Sequence, residues 1–190
     1  MADPGFSPFP EIRTRRLLLR RPVLTDTPGI LFLRSNDSVM EFIDREKTKT
    51  LEEAEAFLLR INEMYDKNEG LMWVIALIEE PEKLIGTIGF WRFLKEHYRA
   101  EVGYTLQPSH WNKGIMKEAL REVTSYAFGP MQLHSIEARI NPANLASATV
   151  LEKTGFIREA YFKEDFYFKG GFIDTAVYSL VAGKNTLQQV

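Results

Sequence analysis

The chain has 190 residues, 45% hydrophobic and 26% charged, with twelve glycines and nine prolines, which is the balance of one globular domain and excludes a disordered or fibrous chain. A formal net charge of -2 and a pI near 6.0 leave no global positive field to hold a polyanion, so no nucleic-acid partner is expected. The absence of cysteine excludes disulfides, thiolate metal sites and cysteine nucleophiles.

Residues Arg15 to Arg20 read as a first strand, and Thr27 followed by Pro28 reads as an N-cap and a first-turn proline opening a short helix to about Arg34. Thr50 and Glu53 form a capping-box pattern, after which Leu51, Ala54, Phe57, Leu58, Ile61 and Tyr65 recur at three- and four-residue steps, predicting a helix to about Asp66. Met72 to Ile78 and Leu84 to Phe90 flank the polar turn EEPEK and pair as an antiparallel hairpin. In the next strand, Glu101 to Leu106, the small or polar Glu101, Gly103 and Thr105 alternate with Val102, Tyr104 and Leu106, so one face can be buried while the other lines a cleft.

A turn from Gln107 to Gly114 leads into a helix from about Ile115 to Phe128, stopped by Gly129 and Pro130. Ser135 to Ile140 is a further strand, broken by Asn141-Pro142-Ala143-Asn144. Leu145 to Lys153 is a short helix ended by Gly155 in the left-handed C-cap position. Strands at Phe156 to Phe162 and Phe172 to Leu180 complete the pattern, and the last residues, GKNTLQQV, read as a frayed tail. No repeat or linker interrupts it, which predicts a single α/β domain over 1–190 with an ordered core over about 11–182. Its sheet is mixed, with helices on both faces. No segment approaches the roughly 20 apolar residues of a membrane span, and a cytoplasmic address follows.

Two constellations carry chemistry. Asn112, Lys113, Gly114, Ile115 and Met116 sit where a strand gives way to a helix, where unpaired N–H groups and the positive dipole end suit a phosphate. Neither GKS nor GKT is present, so this is not a nucleotide P-loop, and a glycine before a helix also serves as a plain turn. From Asn141 to Phe156, NPANLASATVLEKTGF, a strand end and a short capped helix carry small residues that leave room for a ligand; Asn144 also fits an ordinary helix cap. No two of His97, His110 and His134 stand at helical ligand spacing, and no metal is expected.

In this order the two constellations resemble the GNAT superfamily of N-acetyltransferases, and within it the RimJ/RimL-like branch that includes ribosomal-protein N-terminal acetyltransferases. The similarity runs through TRRLLLRRPVLTD, IGTIGFW, AEVGYTLQPSHWNKGIMKEAL and ARINPANLASATVLEKTGFIREA. It implies a mostly antiparallel twisted sheet in which the strand at Glu101–Leu106 splays from the strand at Ser135–Ile140. The pantetheine arm of acetyl-CoA would enter that wedge and bond to Tyr104, Thr105 and Leu106.

The resemblance puts the pyrophosphate loop on Trp111, Asn112, Lys113, Gly114, Ile115 and Met116, with methionine where the family has a small residue that avoids crowding the phosphate. It implies direct attack by an amine, with Glu101 as base, Asn144 holding pantetheine and Ser147 protonating the departing sulfur. The tyrosine acid of many members is replaced by Leu151.

Deprotonating an α-amino group at pH 7 costs about 1 kcal/mol, against about 4.6 kcal/mol for a lysine side chain. An N-terminal α-amine of a protein or peptide is therefore the expected acceptor. A polyamine, aminoglycoside or amino acid is the small-molecule alternative, and an acyl-CoA-binding sensor without turnover the alternative of another class. The partners expected are acetyl-CoA and an amine, with the chain a monomer or homodimer.

Overall fold

Period-two and period-3.6 segments alternate along the chain, and the computed structural model, which describes residues 7–183, converts them into strands and helices in turn. These are β1 (Ile12–Arg13), β2 (Leu17–Arg20), α1 (Thr27–Ser35), α2 (Asp37–Met40), α3 (Leu51–Asp66), β3 (Leu71–Leu77), β4 (Gly86–Leu94), β5 (Arg99–Leu106), α4 (Ile115–Phe128), β6 (Ser135–Ile140), α5 (Leu145–Lys153), β7 (Ile157–Phe168) and β8 (Gly171–Val181). The strands make one sheet in the order β1-β2-β3-β4-β5-β6-β8-β7. Every pair is antiparallel except β5 with β6, which run parallel. This is the mixed, mostly antiparallel α/β architecture that the sequence implied.

Helices cover both faces because β3 is apolar on both. Trp73 and Ile75 enter a core with Leu17, Leu19 and Ile88 beneath Leu120 and Val123 of α4. Val74, pointing the other way, joins Ile30 and Leu33 of α1 and Ala54 and Leu58 of α3. At the start of α3, Thr50 accepts from Glu53 N at 3.3 Å, but the Glu53 carboxylate reaches Lys49 N at 2.7 Å, one residue before the position that closes a capping box. The cap of α1 also moves by one residue. Asp26 ends a 3-10 turn and occupies the N-cap position, while Thr27 is the first helical residue and donates its hydroxyl to Leu24 O at 2.7 Å. α5 ends as expected, with Gly155 at φ 94 and Phe156 N donating to Leu151 O at 3.0 Å.

Other boundaries differ for identifiable reasons. Packing begins ahead of residue 11, since the Phe9 ring lies 5.2 Å from that of Tyr65 and Trp73 Nε1 donates to Pro10 O at 2.6 Å. β1 and α2 are too short to show a period. The last two strands are longer than expected and form one hairpin whose turn, Lys169-Gly170, has φ of 48 and 86, the left-handed pair that a tight hairpin needs. The frayed tail expected at the C-terminus falls, from residue 184 on, outside the described residues. No helix of the described residues is long and apolar enough to cross a membrane.

Candidate active site

The parallel pair at the centre of the sheet is incomplete. β5 and β6 pair only at Arg99 with Ser135, Ala100 with Ile136 and Glu101 with Glu137, although β5 continues to Leu106 and β6 to Ile140. Arg99 fastens the paired end by donating to the Glu137 carboxylate at 2.9 Å, Ser135 Oγ at 3.1 Å and Ser179 Oγ at 3.0 Å, which joins β5, β6 and β8. Past Glu101 the strands separate, and β5 backbone groups that point toward β6 face a gap instead of a ladder. An extended ligand can bond to such an edge as a strand would.

A cavity of about 370 Å³ occupies this gap. Glu101, Gly103 and Thr105 line it from one face of β5, while Tyr104 with Asn144 and Ser147 of the α5 start line it from the other. Only an opening through the sheet brings residues of both faces into one cavity. The structure therefore unites five of the expected site residues: Glu101, Tyr104, Thr105, Asn144 and Ser147.

Glu101 is the strained member. Its side chain is 13% exposed, and Arg92 Nη1 stands 3.1 Å from Oε2. That approach supplies charge without hydrogen-bond alignment, so the buried Oε2 has no hydrogen-bond donor among the described residues. Burial pushes the carboxyl above its ordinary value, opposed by Arg92 and reinforced by the like charge of Glu137. A carboxylate in this state is a stronger proton acceptor than one in water.

Ser147 is buried in the first turn of α5, and its Oγ and the Tyr104 hydroxyl share a hydrogen bond at 2.9 Å. Burial pushes the Tyr104 phenol up to about 12, with the Ser147 bond working against the rise, so the phenol keeps its proton at neutral pH. Asn144 is the helix cap: its Oδ1 accepts from Ser147 N at 2.9 Å, which leaves its amide nitrogen as the group to offer a ligand. Leu151 is wholly buried in the main core, far from a proton-donating role in size and chemistry alike.

The 111–116 segment lies outside the cavity. Asn112 and Gly114 have φ of 58 and 72, and this left-handed pair turns the chain into α4 without a side-chain cap at Gly114. The first N–H groups of the helix are thus left open beside exposed Asn112 and Lys113. Ile115 and Met116 point inward to the core, Met116 being 6% exposed, so the methionine side chain is taken up by packing. Leu106 is also a core residue, and its carbonyl already accepts from Trp111 Nε1 at 2.8 Å.

Sequence reasoning missed several neighbours. Arg16 donates to Lys113 O at 2.9 Å and pairs with Glu118 at 2.7 Å, so a guanidinium from the β2 approach stands at the helix start. Trp91 lines the cavity so closely over Gly103 that a Cβ there would meet its ring at 2.6 Å. Arg92, Arg139, Arg34 and Arg45 line it as well. The arginines come from α1, β4, β6 and a loop, and no local spacing connects them; Trp91, two residues after Gly89 on a strand, was the one recoverable signal.

A sheet opened at its parallel pair, with a helix start beyond the gap, is the architecture of GNAT acetyltransferases. Residues 16–157 match the family described as the Acetyltransferase (GNAT) domain, and the chain belongs to that family as an N-acetyltransferase. It is 35% identical over 173 residues to the uncharacterized N-acetyltransferase YoaA of Bacillus subtilis, covering 91% of this chain and 97% of the relative. It superposes on the ribosomal-protein-S5-alanine acetyltransferase of Vibrio fischeri with a TM-score of 0.81 at 25% identity, covering 93% of this chain and 98% of the other. A spermidine N-acetyltransferase from Vibrio cholerae, solved with CoA and spermine, shares the fold with a TM-score of 0.78 at 23% identity over 88% of this chain and 96% of its own.

Proposed function

We propose that the chain transfers the acetyl group of acetyl-CoA to the N-terminal α-amine of a protein or peptide by direct attack, with Glu101 as base and Ser147 as acid. The observation that carries this reading is the buried Glu101 oxygen without a hydrogen-bond donor, set where β5 and β6 part. A buried acceptor that has only the charge of an exposed arginine and no hydrogen-bond donor is a cost that a ligand or its water can relieve.

The pantetheine arm bonds to the open edge of β5 at Tyr104 and Thr105, and the pyrophosphate lies on the first N–H groups of α4 beside Asn112 and Lys113. The amine nitrogen attacks the thioester carbonyl carbon, its proton passes to Glu101 directly or through a water, and the carbon–sulfur bond breaks. Ser147 gives its hydroxyl proton to the thiolate and draws one back from the neighbouring Tyr104 hydroxyl or solvent. Glu101 and Ser147 line one cavity, Glu101 from one face of β5 and Ser147 from the side of Tyr104, so a proton acceptor and a proton donor can serve the same thioester.

An α-amine supports the acceptor assignment because about 1 kcal/mol frees it of its proton at pH 7. The Vibrio fischeri neighbour, by its description, acts on an alanine of ribosomal protein S5, whereas the Vibrio cholerae neighbour takes a polyamine. The test is release of CoA thiol from acetyl-CoA, read with a thiol-reactive dye across N-terminal peptides, polyamines and aminoglycosides; the chain has no cysteine to add background. Peptide-dependent release is the expected result. Release with polyamines alone removes the peptide assignment, and failure to bind acetyl-CoA removes the donor.

A further inference from the structure

Away from Glu101, the cavity is walled by the end of α1 and the loop after α2. Arg34 of α1 is held there on three sides. Its Nε donates to Thr48 Oγ1 at 3.0 Å, its backbone carbonyl accepts from Thr48 N at 3.0 Å, and its guanidinium lies 4.1 Å from the centre of the Phe57 ring. Arg60 lies over the same ring at 5.4 Å. Arg45, exposed on the adjoining loop, lines the cavity with Arg34.

Among the described residues no carboxylate pairs with Arg34, Arg45 or Arg60, and the two terminal amino groups of Arg34 have no acceptor. The other cavity arginines are different: Arg92 stands against Glu101 and Arg139 against Asp165. One carboxylate, Asp44, lines this end unpaired beside Arg34 and Arg45, so two guanidinium groups face one carboxyl. Burial and the like charges of Arg45 and Arg60 all press the Arg34 guanidinium toward losing its proton, a tension that a bound anion relieves.

A planar guanidinium fixed by a ring on its face and a hydroxyl on its Nε, with its terminal edge free, is preorganised for a carboxylate. We infer that Arg34 and Arg45 form an anion subsite that takes a carboxylate of the acceptor, an acidic side chain in the first residues of the peptide whose amine reaches Glu101. Arg34, Arg45 and Glu101 line one cavity, so amine and carboxylate belong to one short segment. A polyamine would bring like charge to this wall, so the subsite selects against it. The inference rests on the acceptor reading given above and adds the charge the acceptor carries.

The test separates the two. Binding of C-terminally amidated pentapeptides with glutamate or glutamine at the second position is measured calorimetrically on the CoA-saturated protein, beside turnover of each. The glutamate peptide is expected to bind about tenfold tighter or more, the size of a charge-assisted hydrogen bond. The gap should close in Arg34→Gln and narrow in Arg45→Gln with CoA affinity unchanged. Arg45, exposed and unpaired, supplies the variant that keeps its fold should Arg34→Gln fail to. Equal binding of the two peptides, or a gap that survives both substitutions, overturns the subsite. Tight binding of the glutamate peptide without acetylation keeps the subsite and removes the α-amine reading. Binding of β-alanine but of neither peptide likewise overturns the peptide subsite and turns the two arginines over to the carboxylate of a small amino acid.

Discussion

Asp26 and Glu101 are two carboxylates withdrawn from water in the same chain, and the fold treats them in opposite ways. Asp26 is 2% exposed and accepts from Arg20 Nη1 and Nη2 at 2.8 and 2.7 Å and from Val23 N at 2.9 Å. Arg20 in turn donates to Pro81 O and Glu82 O, so the pair ties β2 to the turn before α1 and to the β3–β4 connection. Glu101, with its side chain 13% exposed, has one solvent-facing arginine against an oxygen that no hydrogen-bond donor reaches. A satisfied buried carboxylate holds elements together, and an unsatisfied one is reserved for a ligand. The sharpest test is Asp26→Ala, which strands the Arg20 charge. It should lower unfolding stability in urea by about 3–5 kcal/mol while leaving turnover per folded molecule intact. A loss below about 1 kcal/mol would break the contrast.

Glu101→Gln should do the reverse. Turnover in the thiol-release assay should fall about a hundredfold or more, because general-base assistance is removed. Stability should rise at neutral pH, and the sign follows from the direction of the shift. Burial raises the folded-state value of Glu101 above its unfolded value, so folding favours the protonated acid. That contribution is full below the unfolded value and is lost as pH rises through the folded one. The variant should therefore melt above wild type near pH 8, with the difference shrinking toward about pH 4. A variant less stable at both pH values would mean that Glu101 is a structural ion pair like Asp26.

The contrast between the two carboxylates was invisible along the chain. Asp26 is six residues from Arg20 across a turn, and Arg92 meets Glu101 through an irregular stretch of β4 with φ of 51 at the arginine. What periodicity does report is which face of a strand a residue takes: the alternation from Glu101 to Leu106 marked Val102 and Leu106 as buried, but Val102 and Tyr104 also line the cavity because it reaches both faces of the strand. The left-handed requirement at Gly155 and the stop at Gly129 were likewise written locally. The parting of β5 from β6 has no local signature, because both strands continue past the last pair, and it entered only through resemblance. Arg34 and Phe57 meet through tertiary packing of α1 on α3, and Arg45 joins them from the loop after α2, which no spacing encodes.

Ser147 gives the smallest and most discriminating test, because it is a buried hydroxyl with a partner. Tyr104 has no charge to lose at neutral pH and reaches Ser147 across the open part of the sheet. If it merely fills space, Tyr104→Phe changes stability and little else. If it orients the Ser147 hydroxyl toward the departing sulfur, the phenylalanine variant keeps the ring in place and loses one hydrogen bond of about 0.5–1.5 kcal/mol. That corresponds to a fall in kcat of roughly threefold to tenfold with KM for acetyl-CoA unchanged. The double variant with Ser147→Ala separates the cases: an orienting tyrosine has no further effect once the serine is gone, because the two act as one unit. Additive losses would make Tyr104 a second, independent contact to the coenzyme, and the chain would then hold its leaving group with two hydroxyls where Glu101 stands alone on the other face.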